Sequence, residues 1–206
     1  MTASIVVQKP AGTAQQLILL FHGVGSNAQD LVPVGQQFAA KFPAALVLSL
    51  EGLQPSDFGQ GRQWFSVAGV TEENRPGRVA AAMPAFRSLI QQLQKDAGVT
   101  AANTTLIGFS QGSIMSLEST QTQPALAAHV IAISGRFASA PTHAVQGTSV
   151  HLIHGDADPV MSVESSRSAA KQLKALGVPV TLDIEPGMGH GINTRMLSVA
   201  LARLPN

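Results

Sequence analysis

The sequence contains no cysteine, and that absence excludes several kinds of chemistry. Without thiols the chain cannot form a disulfide, use a thiolate nucleophile or bind a metal through sulfur. Charge is also scarce, because Asp, Glu, Lys and Arg make up 12% of the residues and the formal net charge is +1. No basic surface of the kind that holds a phosphate backbone is expected, so we expect no nucleic-acid partner.

Long apolar runs are missing as well. No stretch approaches the roughly 20 apolar residues needed to cross a bilayer, so we expect no membrane span. The N-terminal segment 1–10 holds one apolar triplet, at 5–7, and no charged region that leads into a long apolar stretch. We therefore expect no signal peptide, and the cytoplasm is the expected location.

Hydrophobic residues make up 45% of the 206 positions, which predicts one packed domain spanning 1–206. Short apolar runs that end near Gly or Ser alternate with helical patterns, and such runs are typical of strands buried on both faces of a parallel sheet. The strand candidates are 17–21, 46–50, 104–109, 129–133 and 150–153, with weaker ones at 4–7 and 180–184. The segment 4–7 is a candidate antiparallel edge strand.

Helical patterns lie between these runs. An apolar stripe with steps of three and four predicts a helix over 79–97, and Pro84 inside it predicts either a kink or a later helix start. Further helices are predicted at 162–176 and 191–204. This alternation favours an α/β fold, with a mostly parallel sheet of about seven strands covered by helices on both faces. Function is then expected at the carboxyl ends of the strands.

The segment 108–112 matches the pattern G-x-S-x-G, with Ser110 at its centre. It follows a strand pattern at 104–107 and precedes a helical pattern at 113–119. A sharp strand-to-helix turn of this kind lifts a serine hydroxyl clear of the sheet, and flanking glycines allow the chains to approach. Ser110 is therefore the candidate nucleophile. The alternative is a serine at an ordinary turn.

A serine hydroxyl needs a neighbouring base, and in this kind of fold the partners follow in the order Ser, Asp, His. His190 lies in a glycine-rich loop between the last predicted strand and the last predicted helix, which makes it the candidate base. Its alternative is a loop histidine at a helix start. His154, at a strand end, is interpreted as structural. Asp156 and Asp158 follow the preceding strand, and spacing alone leaves both open as the acid. No further ligand cluster accompanies them, so no metal is predicted.

Taken together, these segments resemble the phospholipase/carboxylesterase family that includes the acyl-protein thioesterases, and in particular its small bacterial serine esterases. The resemblance runs from about residue 17 to the C-terminus. It rests on four motifs and one short pair in the family's order: 19–25, 62–66, 108–112, 154–160 and 189–190.

The resemblance implies an α/β-hydrolase fold without a large lid domain, and an enzyme that cleaves carboxylic esters or thioesters without a cofactor. In the family the acid is the Asp before Pro, which selects Asp158. The oxyanion hole would be formed by the backbone N–H groups of Val24 and Gln111. The alternatives are an amidase or peptidase with the same triad, or a binding protein that keeps the fold without catalysis.

The segment 51–78 is long for a connection and rich in Gly, Pro and polar residues, so it is a candidate substrate loop. Within it, Trp64 and Phe65 are candidate walls of an acyl pocket, or residues that pin the loop to the core. The expected partner is a small ester or thioester with a short or slender acyl chain. A homodimer is compatible with the sequence.

Overall fold

The apolar runs form the strands of a sheet, and the computed structural model describes them within residues 4–143 and 146–205. The strands in chain order are β1 (Ser4–Gln8), β2 (Gln16–Phe21), β3 (Ala45–Leu50), β4 (Gln54–Pro55), β5 (Arg62–Gln63), β6 (Thr104–Phe109), β7 (His129–Ile133), β8 (Ser149–Gly155) and β9 (Val180–Glu185). The α-helices are α1 (Val32–Lys41), α2 (Arg75–Ala97), α3 (Gln111–Glu118), α4 (Val163–Ala175) and α5 (Thr194–Ala202).

Seven of the strands make one sheet in the order β1-β3-β2-β6-β7-β8-β9. The edge strand β1 pairs with β3 antiparallel, and the other pairings in this sheet are parallel. The predicted number of strands, the mostly parallel pairing and the antiparallel edge are thereby confirmed. This arrangement follows from the sequence because parallel strands need long crossovers, which the intervening helices provide.

Strand β2 shows how the sheet is covered on both faces. Leu17, Leu19 and Phe21 belong to an apolar cluster that includes side chains of α2, α3 and α4. Ile18 and Leu20 alternate with them and belong to a second cluster with side chains of α1 and α5. All five side chains are completely buried, as expected for a strand with helices on both sides.

Three features differ from the sequence-based expectations. Helix α2 begins at Arg75, before Pro84, so the predicted later start is wrong; Pro84 lies inside a continuous helix. Helix α1 was not predicted, although Pro33 in its first turn and the buried pair Val34 and Phe38 are ordinary helix signals. The two-residue strands β4 and β5 were also not predicted, because such short pairs carry no periodicity.

The carboxyl ends of four parallel strands bring the candidate residues to one edge of the sheet. Val24 follows β2, Ser110 follows β6, Asp158 follows β8 and His190 follows β9. These residues are far apart in the chain, and the parallel strand order is what gathers the loops that carry them.

Candidate active site

Ser110 sits at the turn between β6 and α3 with φ 53° and ψ −115°. A positive φ is unfavourable for a residue with a side chain, so the turn holds the serine in a strained backbone conformation. The turn is compact because two glycines let backbones meet: a Cβ at Gly108 would collide with the Ser113 amide, and one at Gly112 with the Phe21 carbonyl. Ser110 is itself 5% exposed.

The imidazole of His190 links the serine to the acid. Its Nε2 lies 2.9 Å from Ser110 Oγ and its Nδ1 lies 2.7 Å from Asp158 Oδ2. A carboxylate only accepts, so Nδ1–H donates to Asp158, and Nε2 is then free to accept the serine proton. The ring also packs on Phe109, with 5.1 Å between ring centroids. The structure therefore brings all three predicted triad residues together.

Backbone amides hold Asp158 in its ionised form. Asp158 Oδ1 accepts hydrogen bonds from the N–H groups of Val160 (2.8 Å) and Met161 (2.9 Å). Burial alone raises the pKa of the Asp158 carboxyl, but these two amides and the His190 ring outweigh it and hold the pKa below its ordinary value. An acid that stays ionised at neutral pH can stabilise an imidazolium on His190.

Asp156, the other candidate acid, has a different place. It is exposed, and its Oδ1 accepts a hydrogen bond of 2.6 Å from the Gly187 amide. Asp156 thus joins the loop after β8 to the loop after β9, which carries His190. The geometry separates the two carboxylates where sequence spacing did not.

His154 supports the loop after β8, which carries Asp158. Its side chain is completely buried; Nε2 lies 2.9 Å from the Met161 carbonyl oxygen and 3.3 Å from Asp158 Oδ2, and Nδ1 lies 2.7 Å from Ser166 Oγ. These partners fit a neutral ring that donates from Nε2 and accepts from the Ser166 hydroxyl. Burial lowers the pKa of His154, which favours that neutral form. The structural interpretation of His154 fits these contacts.

The backbone amide of Val24 lies in the loop after β2, and that of Gln111 belongs to the first residue of α3, directly after the Ser110 turn. Within residues 4–143 and 146–205, neither N–H donates to a protein acceptor. The loop after β2 is fixed on both sides of Val24: the Gly25 amide donates to the Arg62 carbonyl (2.8 Å), and the His22 ring donates from Nδ1 to the Gly23 carbonyl (2.6 Å). Two amides that donate to no other group in the described residues suit a developing oxyanion.

Hydrogen bonds to two different loops fix the tautomer of His22. Its Nε2 accepts a hydrogen bond of 2.9 Å from the Gly52 amide, so Nδ1 carries the proton. Burial lowers the pKa of His22. The buried neutral ring therefore ties the loop after β2 to the loop after β3.

The side chain of Gln111 holds a distant backbone segment, a role that the sequence did not predict. It is buried, accepts a hydrogen bond of 2.7 Å from the Trp64 amide at Oε1 and donates one of 2.7 Å from Nε2 to the Phe65 carbonyl. Gln111 thus holds the backbone of the substrate-loop candidate beside the nucleophile. The side-chain amide of Gln111 thus accepts from one backbone N–H and donates to one backbone carbonyl, as the backbone of a neighbouring strand would.

The two aromatic candidates, Trp64 and Phe65, have different environments. Trp64 is completely buried between Phe21 and Phe86, and its indole N–H donates to the His22 carbonyl (2.9 Å). Phe65 lines a cavity of about 250 Å³ together with Ser110. Trp64 therefore pins the loop to the core, while Phe65 contributes to a wall beside the nucleophile.

Two cavities flank the triad. The cavity of about 250 Å³ reaches Ser110, Val24 and Gln111, and its walls are largely apolar. A larger cavity of about 690 Å³ lies on the other side and reaches His190 and Phe109. We call the first the serine-side cavity and the second the histidine-side cavity.

The described part of the chain offers neither a cluster of metal ligands nor a membrane-spanning helix. No group of three or more His, Asp or Glu side chains there could hold a metal ion. In the same residues, no helix has the length and apolar character needed to cross a membrane.

The known proteins that this chain resembles include esterases and thioesterases. The family model described as Phospholipase/Carboxylesterase matches residues 2–204. Esterase YpfH of Escherichia coli K12 is 50% identical over 199 residues, which cover 97% of this chain and 86% of that protein. Acyl-protein thioesterase 1 of Gibberella zeae is 36% identical over 113 residues, covering 51% of this chain and 48% of that protein.

Solved structures agree on the architecture. Esterase PE8 superposes with a TM-score of 0.86 at 29% identity, covering 98% of this chain and 95% of that one. A carboxylesterase of Bacillus cereus superposes with a TM-score of 0.82 at 21% identity, covering 98% and 92% respectively, and supports the fold alone. The predicted α/β-hydrolase fold is confirmed.

Proposed function

The chain belongs to the phospholipase/carboxylesterase family of hydrolases, and from that premise we propose that it cleaves carboxylic esters or thioesters through an acyl-enzyme on Ser110. The observation that carries the proposal is the continuous pair of hydrogen bonds from Ser110 through His190 to Asp158, at 2.9 Å and 2.7 Å. Hydrolysis of esters is the activity named in the family's description and in its esterase relatives.

In the proposed acylation step, Ser110 Oγ attacks the carbonyl carbon while its proton moves to His190 Nε2. Asp158 stabilises the imidazolium through the hydrogen bond to Nδ1. The carbonyl oxygen becomes an oxyanion, which the amides of Val24 and Gln111 stabilise; one such donor contributes roughly 3 kcal/mol in related chemistry. The C–O or C–S bond then breaks, and the leaving group takes the proton from His190.

Deacylation repeats the sequence with water. His190 removes a proton from water as the oxygen attacks the acyl carbon, and the proton returns to Ser110 Oγ as the acid leaves. One water is consumed, and no cofactor takes part in the proposed cycle.

The two cavities support the expected preference for short or slender acyl groups. His190 must protonate the leaving group, so the leaving group lies on the side of the histidine-side cavity. The acyl group then lies with the oxyanion donors in the serine-side cavity, whose volume of about 250 Å³ is at the small end for ligand sites. We propose Phe65 as a wall of this acyl site and Trp64 as its support.

Measurement of kcat/KM on short-chain nitrophenyl esters tests the proposal. Ser110→Ala and His190→Gln are each expected to lower kcat/KM by at least about 10³-fold, and Asp158→Asn by about 10² to 10⁴-fold. His143→Gln is the matched control, because His143 is exposed in a loop outside the site. Ester hydrolysis that survives both Ser110→Ala and His190→Gln would contradict the proposal, and so would fastest turnover of long acyl chains.

An amidase with the same triad is the second candidate, and matched ester and amide substrates distinguish it. We further propose that the site belongs to one domain, since Ser110, Asp158 and His190 follow strands of one sheet. A homodimer would not need to complete the triad, because one chain supplies all three residues. The net charge of +1 supports a small-molecule substrate over nucleic acid.

A further inference from the structure

The serine-side cavity contains charged groups that the proposed chemistry does not use. Arg75 and Arg136 both line it, with side chains 16% and 21% exposed, and both bind Glu72. Arg75 Nη1 lies 2.6 Å from Glu72 Oε1, and Arg136 Nη2 lies 2.5 Å from Glu72 Oε2. One carboxylate therefore serves two guanidinium groups, which leaves a net positive charge in a small and otherwise largely apolar cavity.

The fold places Arg136 beside the nucleophile. Strand β7 is the parallel neighbour of β6, with Ile133 opposite Phe109, and the Ser110 amide donates to the Ile133 carbonyl (3.0 Å). Arg136 follows three residues after Ile133, in the loop that leaves this strand. The arginine thus comes from the loop adjoining the turn that carries Ser110.

The carboxylate that pairs with both arginines is the most exposed member of the group. The Glu72 side chain is 75% exposed, whereas the side chains of Arg75 and Arg136 are mostly buried. A largely desolvated guanidinium binds a carboxylate well, because its planar donors match the two oxygens. Because Glu72 faces solvent, a substrate carboxylate that supplies the same hydrogen bonds could replace it on the arginines or share them with it.

The cavity lined by Ser110 and the two arginines also has apolar walls, formed in part by Val67, Val70 and Ile114. A short methylene chain fits such walls, and a charge at its far end would meet the guanidinium groups. We propose that the acyl group of the preferred substrate carries a second carboxylate, as in a half-ester of a short dicarboxylic acid, and that Arg136 and Arg75 bind it. This inference rests on the proposed ester hydrolysis.

The test compares two esters of the same shape and different charge: monoethyl glutarate, which carries a carboxylate, and ethyl glutaramate, which carries a neutral amide. Each would yield ethanol and the free acid for one water consumed. The measured quantity is the charge-preference ratio, kcat/KM for monoethyl glutarate divided by kcat/KM for ethyl glutaramate. We expect a ratio of at least about ten for the native protein, because hydrogen bonds to charged groups are strong in a partly buried site. High salt should lower the ratio.

Two variants should move this ratio in opposite directions. Arg136→Gln removes a binding group and should bring the ratio close to one. Glu72→Gln removes the competing carboxylate and should raise the ratio above the native value. Arg167→Gln is the control for total charge, because Arg167 pairs with Glu164 on the surface of α4 and should leave the ratio unchanged. Labelling of Ser110 by a neutral fluorophosphonate verifies that each variant keeps a folded site.

The outcomes separate this inference from the proposed function. A native ratio near or below one, with the neutral ester hydrolysed, would overturn the dicarboxylate inference alone. A fall of the ratio in both Glu72→Gln and Arg136→Gln would assign the ion pairs a structural role and would also overturn it. If neither ester is hydrolysed and short-chain nitrophenyl esters are also left intact, the proposed ester hydrolysis itself fails.

Discussion

The strained turn at Ser110 leads to a prediction about stability. Ser110 has φ 53° and ψ −115°, a conformation that costs a residue with a side chain about 1–3 kcal/mol. Glycine adopts it freely. Both Ser110→Ala and Ser110→Gly remove the hydroxyl and its hydrogen bond to His190, so only the backbone strain, the Cβ contacts and the chain entropy differ between them.

The expected difference follows from these terms. Glycine relieves the strain, but its greater freedom in the unfolded chain costs about 0.5–1 kcal/mol, and loss of the contacts of the buried Ser110 Cβ costs a little more. Ser110→Gly should therefore be more stable than Ser110→Ala by about 1 kcal/mol. For a chain of this size that difference raises Tm by about 2–4 °C.

Urea unfolding and calorimetry of the two variants measure this difference. Ser116 provides the matched control, because it is buried in the ordinary helical backbone of α3. There the sign should reverse, with Ser116→Gly less stable than Ser116→Ala by about 1 kcal/mol. Equal stability of the two Ser110 variants, or a less stable glycine variant, would refute the idea that the turn stores strain to present the nucleophile.

Three further predictions concern His151, Gln111 and Asp158. Burial, with help from the charges of His129 and Arg203, lowers the pKa of His151 from 6.5 to about 4, so its protonation favours the unfolded chain. Stability should fall as the pH drops from 7 to 5, by about 2 kcal/mol from this residue alone, and His151→Phe should lose correspondingly less in urea unfolding. Gln111→Ala should cost about 2–3 kcal/mol of unfolding free energy and raise KM more than it lowers kcat, because it frees the substrate-loop backbone while keeping the oxyanion amide. The lowered pKa of Asp158 contributes stability that is lost as the pH falls below the ordinary value of the group, near 3.8. The difference in unfolding free energy between the native protein and Asp158→Asn should therefore shrink in that range. A constant difference in urea unfolding down to pH 3 would contradict this prediction.

The central sheet was predictable from the sequence because its strands are buried on both faces. Runs such as 104–109 and 129–133 are mostly apolar, and the structure gives those strands the predicted bounds. Helix α1 escaped prediction because its apolar face is narrow, with Val34 and Phe38 as its large buried side chains. The pair β4 and β5 depends on contacts between distant segments, which no local pattern encodes.

The candidate site was predictable where chemistry requires particular residue types in a particular order. Ser110 and His190 had such signals, and the geometry now separates Asp158 from Asp156 through its contact with His190. The side-chain role of Gln111 had no signal, because its partners are backbone atoms of a distant loop. The pairing of Arg136 with Glu72 joins positions 64 residues apart, so only the folded chain reveals it.

The most direct measurement is covalent labelling of the native protein with a fluorophosphonate, followed by mass-spectrometric mapping of the modified peptide. If His190 activates the hydroxyl, the extent of labelling should match the loss of ester hydrolysis, and the adduct should lie on Ser110. His190→Gln should abolish both the labelling and the hydrolysis. Full inactivation with the adduct on another residue, or undiminished ester hydrolysis when Ser110 is fully labelled, would contradict the account.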